Sequence, residues 1–344
     1  MLDDLAYIHE RDVDDALGMV GKQSQQLIQD FNLANVSFNE VENIVYAGMG
    51  GSALAALVAQ SFPDITVPFT IVRNYDLPSY VGPKTLLICA SYSGNTEETL
   101  EALRQGREKQ AQIAVICGGG KLKEAAEANS YSLLLLPKTV QPRYAVLSNY
   151  VALLHVLAKA SVIGQSDIFT ELQKAATFIS EATKAWLGEV PTSSNPAKQL
   201  AQELMGKSVV IYSGPKLSPA AYKWKISVNE NAKQIAWVNQ YPEFNHNEFI
   251  GWSKQPIDKP YAVIDLRSSL EHPRVQKRFE VSARLLSGLR PEPHIVDVEG
   301  TTLLEQLLWA SVFGDFVTIY LALLNGINPA PVDLVEKFKK ALEE

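Results

Sequence analysis

Thr85-Leu86-Leu87-Ile88-Cys89-Ala90-Ser91-Tyr92-Ser93-Gly94-Asn95-Thr96 is an unbroken apolar run that ends in a tight, hydroxyl-rich turn. A short apolar run bounded by turn residues fits a strand buried on both faces. Residues 96–109 then carry a helical pattern, so the turn is a strand-to-helix junction. Upstream, Asn43-Ile44-Val45-Tyr46-Ala47 leads into Gly48-Met49-Gly50-Gly51-Ser52, a junction of the same kind. Glycine lets the backbone approach a ligand, and a helix start offers unpaired N–H groups that attract anions. Ser and Thr hydroxyls add donors without adding charge. Together the two turns describe a pocket for a phosphate monoester.

Around these junctions the pattern alternates. Strands are expected at 43–47, 66–72, 85–90, 112–117 and 132–136, with helices at 52–61, 96–109 and 121–129 and a leading helix at 12–31. This rhythm implies a parallel α/β sheet covered on both faces, with ligands at the carboxyl ends of its strands. Residues 144–188 read as long helices with a break near Gly164-Gln165-Ser166, and Pro191 to Pro196 reads as a linker. Strands then return at 208–213, 234–238, 260–266 and 294–298, followed by a long apolar helix at 301–325 and a terminal helix at 331–343. The expected division is an N-terminal domain at 1–155, a helical connector at 156–194 and a C-terminal domain at 195–344.

With 31 Lys and Arg against 38 Asp and Glu, the net charge of −7 argues against nucleic acid or an anionic membrane as partner. A local pocket field can still hold a phosphorylated small molecule. The two cysteines, Cys89 and Cys117, offer no disulfide framework and no zinc motif, so they read as reduced thiols in a cytoplasmic protein. The N-terminus lacks an apolar signal core, and the apolar stretches near 144–160 and 307–324 are interrupted by Asn149, His155, Asp315 and Thr318.

Nucleotide motifs fail on inspection. The Gly48 turn lacks the third spaced glycine of a dinucleotide fingerprint, and Arg73-Asn74 stands where an acidic residue would end the next strand. Gly118-Gly119-Gly120-Lys121 is not a P-loop, because Leu122 replaces the hydroxyl residue. The turn at Ser91 is more specific. A cap or ST-turn needs one hydroxyl, whereas Ser91, Ser93 and Thr96 supply three. This motif resembles that of sugar-isomerase (SIS) domains, which hold the phosphate of phosphosugars.

The second half extends the likeness. Lys225 to Lys233, with Asn229-Glu230-Asn231 at its centre, and Pro242-Glu243-Phe244-Asn245-His246-Asn247-Glu248 are similar to segments of bifunctional phosphoglucose/phosphomannose isomerases. Gln141-Pro142-Arg143-Tyr144-Ala145 and Asn328-Pro329-Ala330-Pro331-Val332 fit the same family, so the resemblance spans essentially the whole chain. It implies two SIS-type doubly wound domains, each a three-layer αβα arrangement, in a homodimer. It implies that phosphate rests on Gly51, Ser52, Ser91, Ser93 and Thr96, and that Glu230 shuttles a proton between C2 and C1 of an open-chain sugar. Arg143 would stabilise the enediolate, and His246, contributed by the neighbouring subunit, would open the ring.

A C-terminal lysine is the fourth group the family implies. Among Lys337, Lys339 and Lys340, Lys339 borders the face marked by Val335, Phe338 and Leu342. Each of these residues also has a plain structural reading. Glu230 could pair with Lys223, Lys225 or Lys233, Arg143 could be a cap, and Lys339 could be part of a solvated helix end. The implied substrates are fructose 6-phosphate, glucose 6-phosphate and mannose 6-phosphate, with no metal or cofactor. One departure stands out: Ala330 stands where the resemblance implies that many relatives carry a hydroxyl residue, which weakens the expectation of activity on both aldoses more than that of isomerisation. The rival functions are a non-catalytic phosphosugar sensor and an isomerase of another phosphosugar.

Overall fold

The structure is a computed structural model; it describes all residues except 34–35, 140, 165–166, 255–259 and 343–344. Two compact units divide the chain: Gln23–Thr177 forms one, and Met1–Lys22 with Phe178–Glu344 forms the other.

In chain order the elements begin with α1 (Leu5–Arg11), α2 (Ala16–Gly21), β1 (Asn43–Ala47), α3 (Gly50–Ser61), β2 (Phe69–Val72), β3 (Thr85–Ser91) and α4 (Glu97–Glu108). They continue with β4 (Gln112–Cys117), α5 (Gly120–Asn129), β5 (Ser132–Leu135), α6 (Val146–Lys159), α7 (Ile168–Thr183) and α8 (Pro196–Leu204). The chain then runs through β6 (Ser208–Ser213), α9 (Ser218–Ala232), β7 (Ala236–Gln240), α10 (Glu248–Gly251) and β8 (Tyr261–Arg267). It closes with α11 (Pro273–Leu285), β9 (His294–Asp297), α12 (Leu303–Leu324) and α13 (Asp333–Leu342).

Both sheets are parallel, in the orders β2-β1-β3-β4-β5 and β7-β6-β8-β9. Strand order reverses beside β1 in the first and beside β6 in the second, which makes each a doubly wound α/β unit. Every residue of β3 is buried, as its apolar run requires of a central parallel strand. On one face Leu87, Cys89, Val115 and Cys117 pack with Ala102 and Leu103 of α4 and Leu122 and Ala126 of α5. Both cysteines are free, and burial pushes the Cys89 thiol up to about 12.

The leading segment corrects the expectation of one helix over 12–31. Asp12 turns its carboxylate onto the N–H groups of Ala16 and Leu17, both at 2.8 Å, and Asp15 adopts a left-handed conformation. Within 12–31 only α2 and a 3-10 turn at Gln23–Ile28 form, and a separate helix, α1, ends just before at Arg11. Local carboxylate bonds of this kind compete with helix continuation.

Pro191 to Pro196 is likewise no free linker. Asn195 is fully buried; its Oδ1 accepts from the N–H groups of Ala197 and Lys198, capping α8, while its Nδ2 donates to Leu187 O. The break expected near Gly164 falls between α6 and α7, with Gln165 and Ser166 outside the described residues.

α12 is the one helix among the described residues long and apolar enough to cross a membrane, yet 94% of that stretch is buried inside the protein. It is a core helix. Asp315, which interrupts its apolar run, forms a buried ion pair with Lys223 of α9 and accepts from Ser227 Oγ at 3.0 Å. Trp224 Nε1 donates to Ala310 O at 2.7 Å, and Asn231 Nδ2 to Thr318 Oγ1 at 2.9 Å. These bonds fix α9 along α12.

Candidate active site

In the first unit, the carboxyl end of β3 brings the predicted hydroxyls together. Ser91 Oγ lies 2.7 Å from Thr96 Oγ1 and 3.4 Å from Ser93 Oγ. Thr96 stands at the N-cap of α4 but makes no side-chain cap bond; its hydroxyl turns to Ser91 instead. The helix start therefore keeps its donors for another acceptor. Ser52, in the first turn of α3, accepts the N–H of Tyr92 at 3.2 Å and so joins the two junctions.

Glycines make the loop possible. Gly94 has φ +69°, and a Cβ there would meet Gly119 O at 1.7 Å. A Cβ on Gly120, at φ +68°, would meet Ser93 O at 2.5 Å. The triplet Gly118–Gly120, which no nucleotide motif explained, is the wall behind the hydroxyl turn. Gly118 N donates to Tyr92 O at 2.9 Å, Leu122 N to Gly94 O at 2.9 Å, and Lys121 N to Asn95 Oδ1 at 3.0 Å.

Arg143 belongs to the same cluster of elements. It sits in the 3-10 turn Pro142–Tyr144, only 1% exposed, with its guanidinium 4.8 Å from the Tyr144 ring centre. A Cβ on Gly51 would touch the Arg143 backbone at 3.3–3.4 Å, so the missing side chain lets this turn approach the start of α3. Asn149 of α6 bonds Ser52 O through Nδ2 at 3.1 Å and supports that start from behind. Ser52, Ser91, Ser93 and Thr96 are thus joined through hydrogen bonds, with the Arg143 turn in close backbone approach at Gly51.

Residues 193–342 match the bacterial phospho-glucose isomerase C-terminal SIS domain family, and residues 37–160 match the SIS domain family. A bifunctional phosphoglucose/phosphomannose isomerase of Caldicellulosiruptor bescii is 33% identical over 315 residues, 90% of this chain and 92% of that protein. The chain belongs to the bifunctional phosphoglucose/phosphomannose isomerase family. A D-glucosamine-6-phosphate 4-epimerase of Sulfolobus acidocaldarius is 35% identical over 217 residues, 62% of this chain and 65% of that protein. In structure, a glucose-6-phosphate isomerase like protein from Thermus thermophilus superposes with a TM-score of 0.68 over 98% of each chain at 16% identity, a likeness of fold.

The remaining predicted residues of this isomerase lie in the second unit. Glu230 is half-buried in the last turn of α9. Of the lysines that could have paired with it, Lys223 is bound to Asp315. Lys233 donates to the carbonyls of Glu230 at 2.8 Å, Asn231 at 3.3 Å, Asn328 at 3.1 Å and Pro329 at 2.8 Å. Its ammonium opposes the negative helix end that would otherwise disfavour a carboxylate there. Ala330, next to that carbonyl set, is buried.

His246 is exposed at the end of a 3-10 turn, Glu243–His246, in which Phe244 and Asn245 are anchored. Phe244 is buried with ring centres 4.4 Å from Tyr212 and 5.1 Å from Tyr241. Asn245 donates to Ser282 Oγ at 2.9 Å and accepts from Arg278 Nη1 at 3.0 Å, both on α11. Lys339 lies on α13, none of whose described residues is buried, and pairs with Glu336 at 2.7 Å.

Sequence reasoning missed the glycine wall, the Asp315–Lys223 pair and the Asn245 anchor. A glycine triplet after a strand, an acid inside an apolar helix and an Asn beside the histidine were the available signals. Among the described residues, no group of three or more His, Cys, Asp or Glu could hold a metal ion.

Proposed function

We propose that this isomerase interconverts glucose 6-phosphate, and mannose 6-phosphate as a second aldose, with fructose 6-phosphate. The observation that carries the reading is the convergence of Ser91, Ser93 and Thr96 at the start of α4, with the Thr96 hydroxyl turned away from capping. A phosphate monoester takes up donors that the turn leaves open. The names of the full-length relatives support the substrate class.

In the proposed chemistry, Gly51, Ser52, Ser91, Ser93 and Thr96 hold the phosphate. His246 and Lys339 open the ring by moving the proton between the ring oxygen and O1. Glu230 takes the proton from C2, leaving a cis-enediolate, and returns it to C1, while the proton on O2 passes to O1. The hydrogen shift involves no net oxidation and so calls for no redox cofactor. A permanently charged guanidinium at Arg143 suits the developing enediolate oxygen. The exposure of His246 on its own chain is what a residue donated to a neighbouring subunit of a homodimer requires. Buried, free cysteines suit a cytoplasmic setting.

The test couples glucose 6-phosphate formation from fructose 6-phosphate to a dehydrogenase, beside a parallel assay with mannose 6-phosphate. Glu230→Gln is expected to lower kcat by about 10²–10⁴-fold with KM little changed, the range for loss of a general base. Tight phosphosugar binding without turnover would make the protein a sensor. Turnover only of D-glucosamine 6-phosphate would favour the epimerase reading that the Sulfolobus relative raises.

A further inference from the structure

Lys233 closes α9 in a conformation that lysine rarely takes. Its φ is +52°, in the left-handed region where helices commonly end on glycine. A Cβ makes that backbone unfavourable. Among the described residues, five non-glycine positions have positive φ. Of these, Lys233 alone stands within three residues of a group the proposed chemistry uses, Glu230. A backbone outlier kept beside such a group points to function.

The side chain supplies the reason. Lysine ordinarily lays its stem along the protein and leaves the ammonium in water. Here the residue is exposed, yet Nζ turns onto four carbonyls from two segments. Glu230 O at 2.8 Å and Asn231 O at 3.3 Å belong to the last turn of α9. Asn328 O at 3.1 Å and Pro329 O at 2.8 Å lie beyond α12. A compact ammonium suits four acceptors better than a planar guanidinium would. The neighbouring carbonyls have other donors: Val228 O accepts the Lys233 N–H, and Ala232 O accepts Asn325 Nδ2 at 3.4 Å. The far end of the clamp is itself tied down, because Asn328 Nδ2 donates to Asp14 Oδ2 at 2.8 Å.

We propose that Lys233 is a positioning residue: its ammonium clamps the last turn of α9 to residues 328–329 and so aims the Glu230 carboxylate at the sugar. This role rests on the reading of Glu230 as the base. Helix ends fray, and a base on a loose last turn spreads over many directions. Proton abstraction requires the carboxylate within hydrogen-bond reach of its target. A displacement of about 1 Å costs on the order of 10²-fold in rate.

Two substitutions separate aiming from mere support. Lys233→Gly deletes the ammonium and relieves the backbone, whereas Lys233→Met deletes the ammonium and keeps the strain. In the coupled fructose 6-phosphate assay both are expected to lower kcat about 10–100-fold, with KM within about threefold. Their melting midpoints are expected to part, glycine near the wild type and methionine below it. Deuterium uptake at residues 230–233 is expected to quicken in both, a readout independent of turnover. In a Glu230→Gln background, adding Lys233→Gly is expected to change the residual kcat by less than about twofold. A kcat near wild type in Lys233→Gly would overturn the proposal, and so would unchanged deuterium uptake. It also falls if kcat follows the melting midpoint across the two variants, or if the full loss persists in the Glu230→Gln background. Normal turnover by Glu230→Gln alone removes the base itself, so the two failures are told apart.

Discussion

Gly94 bears more on the candidate phosphate site than any hydroxyl does. At φ +69° a side chain is strained, and its Cβ would stand 1.7 Å from Gly119 O, so backbone on one side or the other must move. Gly94→Ala is expected to destabilise the first unit by roughly 2–4 kcal/mol, combining the left-handed penalty with local displacement. Ser91→Ala removes only a hydroxyl, and its neighbours remain in place. It should raise KM for fructose 6-phosphate about tenfold, the cost of one bond to a charged group, with kcat within a few-fold. Titration of both variants in the coupled assay, beside melting curves, checks the contrast. A Gly94→Ala protein with normal melting and normal KM would show that the wall at Gly118–Gly120 has no such role.

At the scale of elements, the strands were legible and the joints were not. Continuous apolar runs such as 85–90 and 112–117 announce buried parallel strands whatever surrounds them. Where side chains bond to the backbone, pattern misleads. Asp12, the first residue of a run that reads as one helix, bonds the start of α2 instead and leaves that run as a short helix and a 3-10 turn, and Asn195 turns an apparent linker into the start of α8. The spacing of Ser91, Ser93 and Thr96 announced a hydroxyl-lined turn, but its meeting with Gly118–Gly120 depends on tertiary packing that no local period encodes.

α8 also explains why the first 22 residues group with the C-terminal unit. Lys198, wholly buried, donates through Nζ to Leu2 O and Gly188 O at 2.7 Å and to Val190 O at 2.8 Å. Lys198→Met would leave these carbonyls without that ammonium. A loss of about 3 kcal/mol is expected, with early proteolysis of the leading segment. Denaturant melts and timed digestion measure both, and unchanged digestion would dissociate this lysine from the N-terminus.

For the whole molecule, pH acts through two half-buried histidines with a definite sign. Burial holds His294 below its ordinary value, with Lys207 adding to the effect, and burial does the same to His155 against the opposing pull of Asp30. Both folded-state values are depressed, so the unfolded chain takes up protons first. Their stabilising contribution is present above pH ~6.5 and is lost as pH falls below it. Asp265 and Glu271, raised chiefly by burial, carry the opposite sign and gain on acidification. The melting midpoint of the wild type is therefore compared at pH 7.5 and 5.5 with that of a His155→Gln, His294→Gln double variant. A smaller fall in the variant is expected; an equal fall would leave the acid response to other groups.

The contact between residues 91–96 and 118–120 constrains how this enzyme can change over generations. The two segments lie on successive crossovers of the sheet, yet neither tolerates an insertion or a bulkier residue unless the other shifts in step. Altering ligand preference by redesigning one turn alone would leave the new loop without its backing. A transplant into another scaffold has to carry both pieces, with the strand between them as their ruler.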